Sequence, residues 1–327
     1  MLLLSSSIEL GSTELLLTSS VPTRGDEIFY ISAEPKMPQM WAACPGCQSV
    51  VYLRFTLEGV KGSDLVHCPE TDEFFAPYTT PGNVWDITKS VRESKGEEYV
   101  RGGRATVYAI VDGVYLASAT AYLLGTNPSP EAVRALVEAQ ADVRWFYYYV
   151  GKHESGGRAL GPIQFQDGLP LRSFDKGFGI YQLTIPPPNC TQLWSWRANV
   201  EDGIVRLKGF QEFAAMHMRE QRRLAGVLVW KQISESGQIR NLQGVPVPTR
   251  VEGKNCVFSA NTNMTIEDAV TMKRYNGATC PPSALVGGLA RKECDYCEWS
   301  TTKRAWIFSN ANRFNFNYVQ RVCDTLT

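Results

Sequence analysis

The chain has 327 residues, of which 44% are hydrophobic and 20% are charged. This composition can build ordinary hydrophobic cores and excludes a disordered polymer, and the length favours two domains over one. Thirty-three basic residues balance thirty-three acidic ones. No net charge therefore draws the chain toward nucleic acid or an anionic membrane, and no apolar run approaches the roughly 18 residues of a membrane span.

The start of the chain is rich in leucine, but it lacks a basic segment and is interrupted by Glu9 and Glu14. A secretory signal peptide combines a basic segment with an uninterrupted apolar one. We therefore do not expect a signal peptide there.

Residues 26–122 alternate short apolar runs with turn residues. The strand candidates are residues 28–31, 50–55, 99–100, 105–111 and 114–117. Thr80-Pro81-Gly82-Asn83 is a turn signal, and Asp112-Gly113 predicts a two-residue hairpin turn. Several short strands without helices between them predict a β-sandwich.

Three short segments of this part carry a resemblance. They are residues 35–38 (Pro-Lys-Met-Pro), 85–87 (Trp-Asp-Ile) and 101–105 (Arg-Gly-Gly-Arg-Ala). They resemble the immunoglobulin-like module that precedes some bacterial lysozyme-like domains. The resemblance implies a spacer or a wall-docking module rather than a second enzyme.

The nine cysteines are unevenly placed. Three lie in the first part, and six lie later, at Cys190, Cys256, Cys280, Cys294, Cys297 and Cys323. The later six could form three disulfides, in pairings that the sequence leaves open. Such a pattern suits an oxidising compartment such as the periplasm, and free core thiols are the alternative.

The first three cysteines, Cys44, Cys47 and Cys68, stand with His67 in a pattern that suggests zinc. Thiolate and imidazole are donors that suit Zn²⁺. One Cys-x-x-Cys with an adjacent His-Cys is only half of a strong zinc motif, and a local disulfide or an inert turn is the alternative. We predict no metal and no other cofactor.

Near residue 125 the pattern changes from short apolar runs to helical spacing. Ser129 can cap a helix with Pro130 at its first position. The helical run over residues 129–150 has two parts: Val133, Leu136 and Val137 keep helical spacing in the first, and the second runs from about Asp142 to Val150. Asn199 precedes a second helical stretch, residues 200–230, and Thr265 opens a third with a capping-box-like start. The predicted fold class is α+β, with a β-sandwich in residues 1–124 and a mostly helical domain in residues 125–327.

Three motifs stand in this helical part. Glu154-Ser155 follows the first helical run, residues 177–184 read Gly-Phe-Gly-Ile-Tyr-Gln-Leu-Thr, and Tyr275-Asn276 ends the third helix. In this order they resemble the soluble lytic transglycosylase and goose-type lysozyme superfamily. Its members carry Glu-Ser at a helix end, a Gly-x-x-Gln-[Leu/Met] segment and a helix ending in Tyr-Asn. Gly277 departs from the Ala followed by Gly of many members.

The resemblance assigns Glu154 as the general acid. Cleaving a glycosidic bond requires a proton for the leaving oxygen, and a carboxylic acid supplies it near neutral pH when apolar surroundings raise its pKa. The aromatic residues 145–149 just before Glu154 favour such surroundings. The alternative is an exposed glutamate at a helix C-terminus, where the helix dipole disfavours its charge. We expect His153 to be structural.

An inverting hydrolase also needs a second carboxylate to activate water. Asp175 is the best candidate and Asp167 the next, although either can be a loop cap. Transglycosylases of the superfamily need no second carboxylate, because the sugar's own hydroxyl attacks and leaves an anhydro product.

The resemblance further implies which residues bind the saccharide. Tyr181 and Gln182 should line the cleft, while Tyr275 should orient Glu154 with support from Asn276. A core aromatic residue is the alternative for Tyr275. Two tryptophans, Trp194 and Trp196, stack on sugars or fill the core.

The function implied is a peptidoglycan hydrolase, a muramidase acting on the β-1,4 bond between N-acetylmuramic acid and N-acetylglucosamine. We expect a secreted antibacterial effector, delivered by a type VI secretion system or a phage particle, that acts in the periplasm of target cells. Its partners would be glycan strands and an immunity protein, without nucleic acid or membrane. The alternatives are a lytic transglycosylase, a catalytically silent wall-binding module and, as a smaller one, a chitinase or chitosanase.

Overall fold

The computed structural model describes residues 15–18, 28–44, 47, 52–59, 68, 70–76, 84–156, 161–236, 265–277, 297–300, 305–308 and 318–326. Both helices and strands are present, so the chain is a mixed α+β protein. None of the helices in these ranges is long and apolar enough to span a bilayer.

The chain divides into two compact units. The first comprises Met1–Ser129 and Ile163–Asn199, and the second comprises Pro130–Pro162 and Val200–Thr327. The first break lies close to the boundary predicted near residue 125. The segment Ile163–Asn199, however, belongs with the β-rich part, so the contacts divide the chain differently from a single cut between residues 124 and 125.

The first unit contains two sheets. The larger sheet contains β2 (Ile28–Ile31), β4 (Tyr52–Glu58), β5 (Asp72–Phe75), β7 (Gly103–Val111) and β8 (Val114–Gly125). Its order is β2-β8-β7-β4-β5; β2 and β8 are parallel and the other neighbours antiparallel. The smaller sheet contains β1 (Leu16–Thr18), β3 (Trp41–Ala43) and β6 (Val84–Asp86), antiparallel in the order β1-β3-β6.

One hydrophobic core joins the two sheets. It includes Ala42 and Trp85 from the smaller sheet and Phe55, Val107 and Leu123 from the larger one. Successive side chains of a strand point to opposite faces, and the alternating burial of β2 shows one face turned to this core. The sheets therefore enclose the apolar residues between them.

Most strand predictions are confirmed. The strand at residues 28–31 has the predicted bounds, residues 105–111 lie in β7, and β8 begins at Val114 but continues to Gly125. The hairpin turn is also confirmed, since Asp112 and Gly113 have φ angles of 48° and 79°, as a tight hairpin requires. The predicted strand at residues 99–100 is wrong, and the predicted turn at residues 80–83 lies outside the described residues.

A helix lies between β6 and β7, against the prediction that no helix interrupts these strands. This helix, α1 (Ile87–Lys95), is capped by Asp86, whose carboxylate accepts a hydrogen bond of 2.9 Å from the N–H of Lys89. Its apolar residues Ile87 and Val91 are fully buried. A capping side chain and two apolar residues one turn apart suffice for a short helix.

The segment Ile163–Asn199 packs on a second cluster of the first unit. It contains β9 (Phe165–Gln166), β10 (Leu169–Pro170) and α4 (Cys190–Trp194). The Asp167-Gly168 turn between β9 and β10 is confirmed, with φ angles of 52° and 77°. Trp194 is buried in this cluster and Trp196 is buried as well, so both tryptophans fill the core.

Two disulfides lie within the first unit. Cys44 pairs with Cys47 and Cys68 pairs with Cys190, at Cα separations of 5.3 and 5.2 Å. Zinc needs free thiolates, so these bonds exclude the zinc alternative for Cys44, Cys47 and Cys68; His67 lies outside the described residues. Cys190 pairs with an early cysteine, which corrects the expectation that the later six pair among themselves.

The second unit is mostly helical. Its elements are α2 (Pro130–Glu138), α3 (Tyr147–Ser155), most of α5 (Trp196–Ser236), α6 (Ile266–Tyr275), α7 (Tyr318–Asp324), and a hairpin of β11 (Cys297–Ser300) and β12 (Ala305–Phe308). The two helical parts predicted within residues 129–150 are present as α2 and α3, but α3 begins at Tyr147 rather than near Asp142, which has a positive φ of 58°.

The ends of two helices test the capping predictions. The predicted start of α6 is confirmed, because Thr265 and Asp268 form a reciprocal capping box. Helix α5 begins at Trp196, so Asn199 lies within the helix rather than before it. The side chain of Asn199 bonds to other backbone groups instead of capping the helix.

A buried ion pair lies near the edge of the larger sheet. Arg101 is 2% exposed, and its guanidinium donates to the Asp72 carboxylate and to the carbonyl oxygens of Cys68 and Glu70. Burial pushes the pKa of Asp72 up, but hydrogen bonds from Lys95, Tyr99 and Arg101 outweigh it and hold that pKa below its usual value. Asp72 therefore stabilises the fold as an anion.

We expect Asp72→Asn to lower the free energy of unfolding by about 3 kcal/mol at neutral pH, because it leaves the charge of Arg101 buried without its partner. A depressed folded pKa contributes stability above the unfolded pKa and loses it as the pH falls. The difference from wild type should therefore shrink below about pH 4. Urea unfolding followed by tryptophan fluorescence measures this.

The control is Glu93→Gln, which removes a carboxylate from an exposed pair with Lys89 at 3.8 Å. Exposed pairs of this kind contribute about 0.3–0.5 kcal/mol. Equal losses in the two variants would contradict a stabilising role for the Asp72 anion.

Candidate active site

Glu154 lies in the last turn of α3 and is half-buried. The helix forms because Tyr147, Tyr148, Val150 and Gly151 are buried along one side of it. It ends at Ser155, where the N–H of Gly156 donates to the carbonyl of Lys152 at 3.0 Å. The prediction that Glu154 stands at a helix end is confirmed.

Tyr318 holds the carboxylate of Glu154. Its hydroxyl donates to Glu154 Oε1 at 2.5 Å, and the residue is only 2% exposed. The imidazole of His153 packs edge-on against the Tyr318 ring, with 5.2 Å between ring centroids. We call Glu154, His153 and Tyr318 the carboxylate cluster.

Contacts with α3 also hold the C-terminal end of helix α7. Lys152 Nζ donates to the carbonyl of Thr325 at 2.8 Å, and the Thr325 hydroxyl lies 3.5 Å from the carbonyl of Tyr149. Val322 and Cys323 of α7 are fully buried. These contacts fix the position of Tyr318, the first residue of α7.

His153 contributes an uncharged ring to the carboxylate cluster. Burial lowers the pKa of His153, the nearby Arg321 lowers it further, and Asp324 opposes both. A histidine with a pKa below its usual value is neutral at pH 7. The imidazole therefore packs as an aromatic ring, and the expectation that His153 is structural agrees with this environment.

Helix α6 brings Tyr275 and Asn276 into the same unit as Glu154. Its first turn is anchored by Asp268, which is 2% exposed, pairs with Arg144 at 2.8 Å and accepts from Trp145 Nε1 at 3.4 Å. At the other end Tyr275 packs edge-on against Phe210, with 6.0 Å between centroids.

Asn276 ends α6, and its N–H lies 3.3 Å from the carbonyl of Met272. One hydroxyl that donates to the Glu154 carboxylate belongs to Tyr318. The orienting role expected of Tyr275, with Asn276 in support, stays a prediction.

The segment 177–184 belongs to the first unit and is held by two polar side chains. Gln164 Oε1 accepts the N–H of Ile180 at 3.1 Å, and Asn199 Oδ1 accepts the N–H of Tyr181 at 3.0 Å. Gly179 has a φ of 72°, and a Cβ there would lie 2.4 Å from Asn199 and 2.5 Å from Gln164. The glycine therefore admits the two side chains that order the segment.

Tyr181 and Gln182 follow each other in this segment but differ in accessibility. Tyr181 is fully buried. Gln182 has a φ of 45° and donates from Nε2 to the carbonyl of Gly179 at 2.8 Å. Its Oε1 is buried and has no hydrogen-bond partner among the described residues, and a buried acceptor of this kind marks a place for a water or a ligand.

Asp175 caps a turn of the same unit. It is exposed, and its Oδ1 accepts a hydrogen bond from the hydroxyl of Ser173. The hydroxyl oxygen of Ser173 in turn accepts the N–H of Gly177 at 2.9 Å. This is the arrangement of a polar side chain that closes a loop.

The predicted site residues are thus distributed over both units. Glu154, Tyr275 and Asn276 lie in the second unit, and Asp175, Tyr181 and Gln182 lie in the first. The sequence did not single out Tyr318, because it lies 164 residues from Glu154 in the chain and no local pattern links them. It also missed the role of Gln164, and it assigned Asn199 to a helix start.

Groups of three or more residues suited to hold a metal ion are absent from the part of the chain that the structure describes. No protein-family model matches the chain, and neither a curated protein nor a solved structure matches it.

If the chain cleaves peptidoglycan as its sequence leads us to expect, Tyr318→Phe should lower the rate about tenfold, because it removes the hydrogen bond that orients the Glu154 carboxyl, worth about 1.4 kcal/mol. The matched control is Tyr149→Phe on α3, whose hydroxyl accepts a long, 3.5 Å hydrogen bond from the exposed guanidinium of Arg134. Initial rates of release of soluble glycan fragments measure the effect. Equal rates in both variants would show that Glu154 does not depend on Tyr318.

We expect the free energy of unfolding to fall as the pH drops below about 6.5. The unfolded imidazole of His153 binds a proton there that the folded one resists, so stability rises with pH between the folded and the unfolded pKa. The variant His153→Gln should lose this part of the slope. Urea unfolding of both proteins at a series of pH values measures this. Parallel curves of unfolding free energy against pH would contradict the prediction.

Proposed function

We propose that the chain is a muramidase that cleaves the β-1,4 bond between N-acetylmuramic acid and N-acetylglucosamine, with Glu154 as the general acid. The observation that carries the proposal is the half-buried carboxylate at the end of α3, held by the hydroxyl of Tyr318 beside the ring of His153. Orientation and partial burial of one carboxylate are what glycosidic acid catalysis requires.

The environment of Glu154 supports the role of a positioned acid. Its carboxyl lies in the last turn of α3, beside the rings of His153 and Tyr318. In the proposed reaction this carboxyl gives its proton to the leaving oxygen. Tyr318 fixes the direction from which that proton is delivered.

The segment 177–184 supports the saccharide-binding part of the proposal. Gln182 offers an acceptor, Oε1, that no described residue uses, and sugar hydroxyl or acetamido N–H groups are suitable donors. Tyr181 is buried, so on this proposal it holds the segment in place while Gln182 meets the sugar.

One observation favours a lytic transglycosylase on the same bond as the second candidate. Asp175 is exposed and its carboxylate caps its own turn through Ser173. This suits a loop residue better than a base that activates water. Without a second carboxylate, the attack of the sugar's own hydroxyl completes the reaction, and the product carries an anhydro end.

We also propose an immunoglobulin-like domain followed by a lysozyme-like one. In the larger sheet β8, β7 and β4 lie side by side, as strands G, F and C do in the immunoglobulin fold. Strand β5 extends the edge as strand C′ does. In the smaller sheet β3 pairs with β6 as B pairs with E. The lysozyme-like assignment is supported by α3 ending in Glu-Ser and α6 ending in Tyr-Asn.

The setting we propose is the periplasm of a target cell, reached by an antibacterial effector that a type VI secretion system delivers. The disulfides Cys44–Cys47 and Cys68–Cys190 support an oxidising compartment. An immunity protein that blocks the glycan cleft would be the natural partner of such an enzyme.

We expect Glu154→Gln to lower the rate of glycan cleavage about a thousandfold, because general acid catalysis contributes about that much. The substrate is isolated peptidoglycan, with products identified by mass spectrometry. The control is Glu131→Gln, which changes an exposed carboxylate in the first turn of α2.

The products separate the alternatives. Reducing muramic acid ends from the wild type identify a muramidase, and anhydro-muramic ends identify a transglycosylase. Equal activity of wild type and Glu154→Gln would remove Glu154 as the acid. Binding without cleavage in either protein would favour the silent wall-binding module.

A further inference from the structure

The larger sheet of the first unit has an outer face, turned away from the core, that carries a group of aromatic rings. Phe74 on β5 points to the core and pairs with Phe55, so its neighbour Phe75 points outward. Arg54 lies opposite Phe75 on one side and opposite Tyr108 on the other. We call the outward residues Tyr52, Arg54, Phe75, Tyr108 and Tyr115 the aromatic platform.

The members of the aromatic platform hold one another in place. Tyr52 and Phe75 are stacked, with 5.5 Å between centroids and 25° between planes. Tyr108 and Tyr115 meet edge-on at 5.3 Å. The guanidinium of Arg54 lies 5.0 Å from the centre of the Tyr108 ring and 5.4 Å from that of Tyr115. Such pairs restrict ring rotation, so a ligand would meet a preorganised surface.

The aromatic platform is open to solvent. Phe75 is 47% exposed and Tyr115 is 54% exposed. The same face continues across β8, where Ser118 and Thr120 are exposed, to Tyr122, which is also exposed. Exposed aromatic rings grouped on one face of a sheet mark an interaction surface more often than a scatter of single residues does.

The charges of this face argue against a polyanion. Arg54 lies 3.9 Å from Glu73, and Arg104 lies 2.5 Å from Glu58. Each arginine therefore has a carboxylate beside it, whereas proteins that bind nucleic acid use unpaired lysines and arginines on the phosphates. The exposed hydroxyl groups of tyrosine, serine and threonine also differ from the apolar core of a homodimer interface.

We propose that the aromatic platform binds an uncharged glycan strand of N-acetylated hexosamines. A pyranose ring presents apolar C–H groups on its faces and hydroxyl groups around its edge. The faces pack on Phe75 and Tyr115 as other apolar groups pack on aromatic rings, and the edge groups bond to the neighbouring hydroxyls. Only the choice of peptidoglycan as the glycan rests on the proposed function.

The test uses the full chain carrying Glu154→Gln, so that the glycan stays intact, and sedimentation with insoluble purified peptidoglycan. Adding Phe75→Ser and Tyr115→Ser should raise the dissociation constant about tenfold. Colloidal chitin, an uncharged polymer of N-acetylglucosamine, should show the same loss. The control is Val114→Ser, because Val114 is 62% exposed and precedes Tyr115 on the opposite side of β8.

Unchanged sedimentation of the double variant would overturn the proposal, as would an equal loss with Val114→Ser. Single-stranded DNA bound through Phe75 and Tyr115, or a dimer that the double variant dissolves, would assign the face to another partner and also overturn it. Circular dichroism and Tm must stay as in the parent protein, which the exposure of both rings makes possible.

A separate experiment distinguishes this inference from the proposed function. With Glu154 restored, the double variant should cleave short soluble peptidoglycan fragments at the parent rate and insoluble walls more slowly. Absence of cleavage by the parent would count against the muramidase proposal. The sedimentation result would still decide whether the aromatic platform binds glycan.

Discussion

The hydrogen bond from Tyr318 to Glu154 joins the end of α3 to the start of α7, and much of the described second unit is arranged so that it can form. Lys152 donates to the carbonyl of Thr325, and the Thr325 hydroxyl donates to the carbonyl of Tyr149; both contacts hold the far end of α7. Because both ends of α7 are held, the Tyr318 hydroxyl has little freedom to turn away from the Glu154 carboxylate. The Glu154 carboxyl is therefore oriented by a residue whose own helix is anchored.

The first unit uses a different device to order a segment without regular structure. Phe178 and Leu183 pair through their backbones, and the side-chain amides of Gln164 and Asn199 bind further backbone groups of residues 177–184. Buried backbone groups require such partners. Gly179 permits the arrangement, because a Cβ at that position would collide with both amides. The conformation of this segment consequently depends also on side chains that lie outside it, 16 and 18 residues along the chain.

What the sequence predicts well is what depends on neighbouring residues. The Asp112-Gly113 turn, the capping box at Thr265 and the helix end at Glu154 each arise from a few adjacent side chains, and all three are confirmed. The zinc alternative was suggested by spacing alone and failed because Cys68 bonds to Cys190, 122 residues away. No periodicity in a sequence specifies a pairing of that length.

In the candidate site too, the sequence predicts local features but not contacts between distant residues. The motif around Glu154 identifies a carboxylate at a helix end, but its contact with Tyr318 depends on how the C-terminal helix packs. The sequence also left open whether Trp194 packs in the core or stacks on sugars. In the folded chain its ring lies against Gly102, where a Cβ would have no room. The type of a side chain determines which chemistry it can perform, and tertiary packing determines whether it is placed to perform it.

The discontinuity of the first unit has a consequence for how the protein is made. A ribosome synthesises the chain from its N-terminus, yet the β-rich unit requires Ile163–Asn199 and the bond between Cys68 and Cys190. The cluster that contains Trp194 can therefore not be completed until residues 130–162, which belong to the other unit, have already left the ribosome. For the same reason a single cut near residue 125 would separate Ile163–Asn199 from the rest of the first unit, so separating the two activities proposed here requires point substitutions within the intact chain.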